Sequence, residues 1–63
     1  MIEKIDVLFI EEVKAIDIDI DKGNEIEHVK SYCMNEKQKA LRHAERIAEK
    51  YNVRVNIVED YIS

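Results

Sequence analysis

The sequence predicts a small α+β domain with the element order β-β-β-α-β, in which one helix packs on one face of a mostly antiparallel sheet. Isoleucine and aspartate alternate over residues 15–21, the pattern of a strand with one apolar and one charged face. A Gly-Asn pair follows and supplies the positive φ angles of a tight hairpin turn. Apolar residues at three- and four-residue spacing over residues 40–51 predict one amphipathic helix.

The length of 63 residues indicates one domain, which we assign to residues 1–63. A chain of this size buries only about 60% of the surface that its unfolded form exposes. We therefore expect a stability of about 3–5 kcal/mol from one core. The single cysteine excludes an intramolecular disulfide, so homodimerisation would be a natural source of further burial.

Residues 4–10 are β-branched, leucine or aromatic at five of seven positions and predict the first strand. A helical stripe competes with this interpretation, and the sequence leaves residues 2–13 open between the two. That stripe consists of Ile2, Ile5, Phe9, Val13 and Ile16. The following Glu11-Glu12 connection contains no turn residue.

Residues 14–21 and 25–32 form the predicted hairpin, joined by the three-residue loop Lys22-Gly23-Asn24. This loop length places the following residues opposite one another: Ile20 and Ile26, Ile18 and His28, Ile16 and Lys30, and, on the outer face, Asp19 and Glu27. Because two acidic side chains then face each other and Val29 points outward, we expect a β-bulge near His28 that turns Val29 inward.

Asn35 is the predicted N-cap of the helix, with Gln38 completing a capping box. The expected apolar stripe contains Ala40, Leu41, Ala44, Ile47, Ala48 and Tyr51. Asn52 would end the helix in the left-handed conformation. A half-buried last strand would follow, with Val53, Val55 and Ile57 facing inward. A right-handed crossover places this strand beside the first, giving the sheet order 3-2-1-4.

The formal net charge is −4, and the acidic residues are concentrated in the first half of the chain. The predicted hairpin presents an acidic face that we expect to bind a partner. Its residues are Asp17, Asp19, Asp21, Glu25 and Glu27. The three aspartates resemble the start of a calcium loop, but the glycine comes one place late and His28 replaces the last glutamate. We therefore expect neither a metal nor another cofactor.

A row of basic residues forms the second candidate site, on the helix surface opposite the apolar stripe. Its members are Lys39, Arg42, Arg46 and Lys50, with His43 beside them. Such a row could contact a protein partner or follow a phosphate backbone. The acidic total charge and the lack of an accompanying aromatic platform weigh against nucleic acid. We expect Glu45 and Glu49 to pair with the arginines three residues before them.

Nucleophiles and metal ligands are few, and nothing in their spacing specifies a reaction. We expect a core-edge His28, an exposed His43 and a buried Cys33 thiol. The chain contains no glycine-rich phosphate loop, so we predict that the protein is not an enzyme. Tyr61 and Ile62 are the expected exposed hydrophobic contacts.

The leading prediction is a cytoplasmic, non-enzymatic interaction protein that regulates or inhibits a partner protein through the acidic face or the charged helix. Its size and acidity resemble those of the small inhibitors that phages and other mobile elements encode. The alternatives are a nucleic-acid-binding domain that uses the basic helix row and a structural homo-oligomer. The N-terminal residues carry charges where a signal peptide is apolar, and no apolar run has the length of a membrane span, so we expect no membrane partner.

Overall fold

One helix lies across one face of a four-stranded sheet, which confirms the predicted fold class. A computed structural model describes residues 1–61. The elements are β1 (Lys4–Ile10), β2 (Ala15–Asp21), β3 (Ile26–Cys33), α1 (Lys37–Tyr51) and β4 (Arg54–Val58). The sheet order is β3-β2-β1-β4, as predicted, with β1 parallel to β4 and antiparallel to β2.

The core lies between the helix and the central strands β1 and β2. Ile16 and Ile18 have no exposed surface and Ile20 is 7% exposed, while the aspartates between them lie on the opposite face. Residues 4–10 are a strand, not a helix, and this resolves the alternative that the sequence left open. The buried core cluster consists of Ile5, Val7, Phe9, Ile16, Ile18, Ile20, Ala40, Ala44 and Ala48.

Helix α1 contacts the sheet through its three alanines, all of which are buried. Tyr51, expected in the same stripe, is instead 42% exposed at the last position of the helix. Asn52 ends the helix with φ of 55°, as predicted, and its N–H donates to the carbonyls of Ala48 and Glu49.

The start of the helix differs from the prediction, because Asn35 is not the N-cap and Gln38 does not complete a capping box. A 3-10 turn over Met34–Glu36 precedes α1. Its N-cap is Cys33, whose backbone N–H donates to Glu36 Oε1 at 3.1 Å. The turn follows directly after the end of β3, so Asn35 lies within the turn and does not cap the helix.

The hairpin loop is one residue longer than predicted. The Lys22 N–H donates to the Glu25 carbonyl at 2.9 Å, and Asp21 Oδ1 accepts the Gly23 N–H at 2.8 Å. Gly23 has φ of 89°, which a residue with a Cβ rarely adopts. Since the loop spans Lys22–Glu25, β3 begins at Ile26 and all four expected pairings along the hairpin are wrong. The observed pairs are Asp21 with Ile26, Ile20 with Glu27, and Asp19 with His28.

The predicted β-bulge next to His28 is confirmed. Asp19 pairs with His28 and Ile18 with Lys30, so Val29 is the extra residue, and it packs against the core. The bulge changes which side chains of β3 share a face with the helix. Beyond it, Lys30 and Tyr32 lie on the helix side, with Tyr32 opposite Ile16.

Strand β4 and the segment after it differ from the prediction in exposure. Ile57, expected inward, is 51% exposed at the open edge of the sheet. Tyr61, expected as an exposed contact, is half-buried, and its N–H donates to the Phe9 carbonyl at 3.0 Å. The segment thus returns to the end of β1, where Ile10 on the face opposite the helix is only 7% exposed. Ile62 lies outside the described residues.

A 3-10 turn, Glu11–Val13, joins β1 to β2 and ends at Lys14, which has φ of 52°. A side chain strains this left-handed conformation, so Lys14→Gly should raise the free energy of unfolding by about 0.5–1 kcal/mol. Chemical denaturation measures this value. Lys14→Ala is the matched control, since it removes the same exposed ion pair with Glu11 but keeps a Cβ. An equal gain in both variants would contradict the strain argument.

Candidate functional site

The aspartates of β2 lie on the sheet face opposite the helix, which we call the open face. Asp17, Asp19 and Asp21 project there at every second residue, and Asp6 of β1 pairs directly with Asp19. Two like charges in adjacent strands are unfavourable unless other groups compensate them. The open face supplies such groups.

Each of these four carboxylates has a partner within the fold. Asp6 accepts from Asn56 Nδ2 at 3.0 Å, and Lys4 Nζ lies 3.7 Å from Asp6 and 3.8 Å from Asp21. Asp21 also accepts the Gly23 N–H of the hairpin loop. The side chains of Asp6, Asp19 and Asp21 are 13%, 16% and 18% exposed. They are therefore part of the bonding of the sheet and not a freely solvated row.

Ser31 and His28 of β3 complete the network on the open face. His28 Nδ1 lies 2.9 Å from Asp19 Oδ1, and Ser31 Oγ lies 3.2 Å from His28 Nε2. His28 is exposed and both ring nitrogens have a neighbour, whereas the sequence predicted a core-edge ring with one bonded nitrogen.

Ser31, His28 and Asp19 are the three residue types of a serine-protease triad. Their hydrogen bonds differ from those of a triad, however, because the single hydroxyl proton of Ser31 is donated to Asp17 Oδ1, 2.7 Å away. With that proton given to Asp17, Ser31 does not donate to His28 Nε2, and the other ring nitrogen, Nδ1, faces the Asp19 carboxylate. The network therefore joins β2 to β3 and does not activate the Ser31 hydroxyl.

Glu25 and Glu27 do not join the aspartates. Glu27 pairs with Ile20 and so lies on the helix side of the sheet, while Glu25 lies in the hairpin loop. Lys22 Nζ is 2.7 Å from Glu27 and 4.0 Å from Glu25. The hydrogen bond with Glu27 and the charge of that carboxylate raise the pKa of Lys22 above its usual 10.5. The predicted acidic face of five residues is thus divided among three locations: the open face, the helix side of the sheet and the hairpin loop.

The basic row on α1 forms one wall of a cleft of about 370 Å³. We call this the basic cleft, and its lining residues are Tyr32, Lys39, Arg42, His43 and Arg46. Residues three and four apart share a helix face, which explains why Lys39, Arg42 and Arg46 meet there. Lys50, predicted in the same row, lies beyond the cleft, with Nζ 5.6 Å from the centre of the Tyr51 ring.

The two arginines of the cleft are not neutralised within the described part of the chain. The expected pairs Arg42–Glu45 and Arg46–Glu49 are absent there, since no carboxylate of residues 1–61 lies within 4.0 Å of either guanidinium. Lys39 has one partner, Glu36, at 3.6 Å. The lining contains three cationic side chains and no acidic one.

Tyr32 gives the cleft the aromatic group that the sequence analysis did not expect. Its hydroxyl lies 3.0 Å from His43 Nδ1, and the two rings meet edge to face at 6.0 Å. Lys30 Nζ lies 5.1 Å from the centre of the Tyr32 ring. His43 is half-buried by these contacts, not exposed as predicted. The four-residue hairpin loop and the bulge at Val29 together place Tyr32 opposite Ile16 on the helix side.

Cys33 is a free, exposed thiol, not the buried one that we expected. It is the last residue of β3 and the N-cap of the 3-10 turn, and its backbone N–H donates to Glu36 Oε1. Among residues 1–61, no group of three His, Cys, Asp or Glu side chains has a geometry that could hold a metal ion. No helix in the same range is long and apolar enough to cross a membrane.

Comparison with protein-family models, with curated proteins and with solved structures gave no match for this chain. The geometry of the two faces is therefore the basis for a functional proposal.

Proposed function

We propose that this protein is a small, non-enzymatic interaction module that binds an acidic segment of a partner protein through the basic cleft. The observation that carries the proposal is the lining, where two arginines without a carboxylate partner meet Lys39 beside an aromatic ring. Planar guanidinium groups bind carboxylates with two parallel hydrogen bonds. A regulatory or inhibitory role is part of the proposal, because a module of this kind acts by occupying its partner.

The basic cleft is a better contact surface than the open face because neither Arg42 nor Arg46 has a carboxylate partner among residues 1–61, and only Lys39 of its lining is paired, with Glu36 at 3.6 Å. On the open face, Asp17 and Asp19 are engaged by Ser31 and His28. A partner would have to displace or share these bonds, which reduces the net gain in free energy. A ligand at Arg42 and Arg46 breaks no ion pair among residues 1–61.

The total charge favours a short acidic segment over a long polyanion. A protein with a net charge of −4 repels an extended anion at distances beyond the cleft. Within about 8–10 Å, the Debye length at physiological salt, the local cations dominate. A cytoplasmic location belongs to the same proposal, since a reducing compartment keeps the exposed Cys33 thiol free.

The double substitution Arg42→Gln and Arg46→Gln should weaken binding of a glutamate-rich peptide about tenfold. Two exposed ion pairs are lost, each worth up to about 1 kcal/mol, and a loss of 1.4 kcal/mol is a factor of ten. Fluorescence anisotropy with a labelled 12-residue peptide of alternating Glu and Gly-Ser units measures the effect.

The matched control is Lys50→Gln with Arg54→Gln, which removes the same charge outside the cleft lining. This variant should bind within about twofold of the wild type. Equal weakening in both variants would show that only the total charge matters and would overturn the assignment to the cleft. A second control, Asp17→Ser with Asp19→Ser, should not weaken binding.

Nucleic acid is the second candidate ligand, and the presence of Tyr32 beside the arginines favours it. Aromatic rings in basic grooves stack on unpaired bases. A single-stranded oligonucleotide in the same assay separates the two candidates, because its affinity should fall steeply and linearly with the logarithm of the salt concentration. Tyr32→Ala should then weaken oligonucleotide binding more than peptide binding.

A further inference from the structure

We infer that the basic cleft selects a phosphate monoester, so that the acidic segment it binds is a phosphorylated one. This inference rests on the proposed function and names the anion that the same site prefers. It comes from the Tyr32–His43 contact, which the proposal above does not use.

Tyr32 influences which nitrogen of His43 carries the proton. With its hydroxyl 3.0 Å from Nδ1, Tyr32 is placed to donate to that nitrogen. A neutral imidazole that accepts at Nδ1 carries its proton on Nε2. Because His43 lines the cleft, this tautomer adds an N–H donor to the guanidinium and ammonium groups. An anion bound there stabilises the same tautomer, so ligand and Tyr32 favour one state.

The polar side chains that line the cleft all carry hydrogen-bond donors in this state. Arg42 and Arg46 are one helical turn apart on the same face and each presents a fork of N–H groups. His43 Nε2 and Lys39 Nζ complete the set, and the one carboxylate near them in residues 1–61 is Glu36, which lies outside the lining, 3.6 Å from Lys39 Nζ.

A phosphate monoester fits this donor set better than a carboxylate does. It carries a charge of about −1.5 to −2 and three terminal oxygens, whereas a carboxylate carries one charge on two oxygens. Arginine clusters recognise phosphorylated segments in the same way. Lys30, stacked over the Tyr32 ring beside the cleft, adds a further cation to the surrounding field.

The test compares two 12-residue peptides of equal charge, one with a central phosphoserine and one with two glutamates in its place. The phosphopeptide should bind wild-type protein about tenfold more tightly, the factor for one additional charge-assisted hydrogen bond. Tyr32→Phe should reduce this preference to about twofold or less, while the control Lys50→Gln with Arg54→Gln, outside the cleft lining, should keep it at about tenfold. Nitrogen-detected NMR of His43 should show the proton on Nε2 when the phosphopeptide is bound.

Each outcome separates this inference from the proposed function. If the glutamate peptide binds through Arg42 and Arg46 and phosphoserine adds nothing, the inference is wrong and the proposed function stands. If neither peptide binds, both are wrong. A phosphate preference that survives Tyr32→Phe would overturn the role of the Tyr32–His43 pair. A 5′-phosphorylated oligonucleotide that binds more tightly than the phosphopeptide would assign the site to nucleic acid and overturn the phosphopeptide assignment.

Discussion

Ile18→Ala is expected to leave the protein largely unfolded at room temperature. Ile18 of β2 has no exposed surface and belongs to the buried core cluster between the sheet and α1. Truncation of a buried isoleucine to alanine costs about 2–5 kcal/mol, because transfer free energy is lost and a cavity remains. This cost matches the total of about 3–5 kcal/mol that one small core provides. Far-UV circular dichroism during urea denaturation measures the loss.

Ile26→Ala is the matched control, because the same side chain is removed from the same hairpin. Ile26 is the first residue of β3 and is 58% exposed. A surface substitution of this kind changes stability by no more than about 0.5 kcal/mol. If both variants lost the same stability, or if Ile18→Ala remained fully folded, the core between the alternating isoleucines and the helix would be wrongly placed.

The alternation of isoleucine and aspartate predicted β2 correctly because a strand has an exact period of two. Burial of the isoleucines then follows, since the apolar face of the strand must be covered. The helix was equally predictable, because a stripe of small apolar residues defines the side that packs on a sheet. These elements depend on local patterns, and each pattern lies within one segment of the sequence.

The hairpin register could not be predicted from such a pattern, because it depends on the length of the loop, where one hydrogen bond is accepted by a side chain. Asp21 accepts the Gly23 N–H and the loop gains a residue. A shift of one residue in pairing moves a side chain to the other face of a sheet. Glu27 thereby leaves the open face, and the acidic site predicted from charge pattern alone divides.

The start of the helix presents the same difficulty in another form. Both Asn35 with Gln38 and Cys33 with Glu36 have the spacing of a capping box. Asparagine is the better cap by intrinsic preference. The position where β3 ends decides between them, and that position follows from the hairpin register.

The sequence predicted one wall of the basic cleft but not the other. The spacing of Lys39, Arg42 and Arg46 indicates a shared helix face, but the facing wall belongs to β3 and depends on the bulge at Val29. Tyr32 and His43 are eleven residues apart in the chain and meet only in the folded sheet. Contacts of this kind follow from the three-dimensional arrangement and have no periodic signal.

The two charged faces also differ in a way that charge counting does not show. The open face carries four carboxylates, yet they are bonded to Lys4, His28, Ser31 and Asn56. The basic cleft carries three cations, yet two of them lack a carboxylate partner in residues 1–61. Availability for binding depends on unpaired groups, and for this reason the smaller cluster is the stronger candidate site.

Ala44→Leu is expected to lower the free energy of unfolding by about 1–3 kcal/mol, through overpacking of the layer between helix and sheet. Ala44 has no exposed surface and lies at the middle of the alanine stripe that brings α1 close to β1 and β2. Three additional carbon atoms at this position require the helix to move away from the sheet. The basic cleft lies partly on that helix, so peptide affinity should fall as well. Urea denaturation and the anisotropy assay measure the two effects.

Glu45→Leu is the matched control, since it places the same side chain at the neighbouring, exposed position of the helix. Leucine is a good helix former, so this variant should retain wild-type stability within about 0.5 kcal/mol. A destabilised Glu45→Leu would indicate that leucine disturbs the helix itself. A fully stable Ala44→Leu would mean that the helix does not lie as close to the sheet as its alanines indicate, and the wall that carries Arg42 and Arg46 would then be free to move.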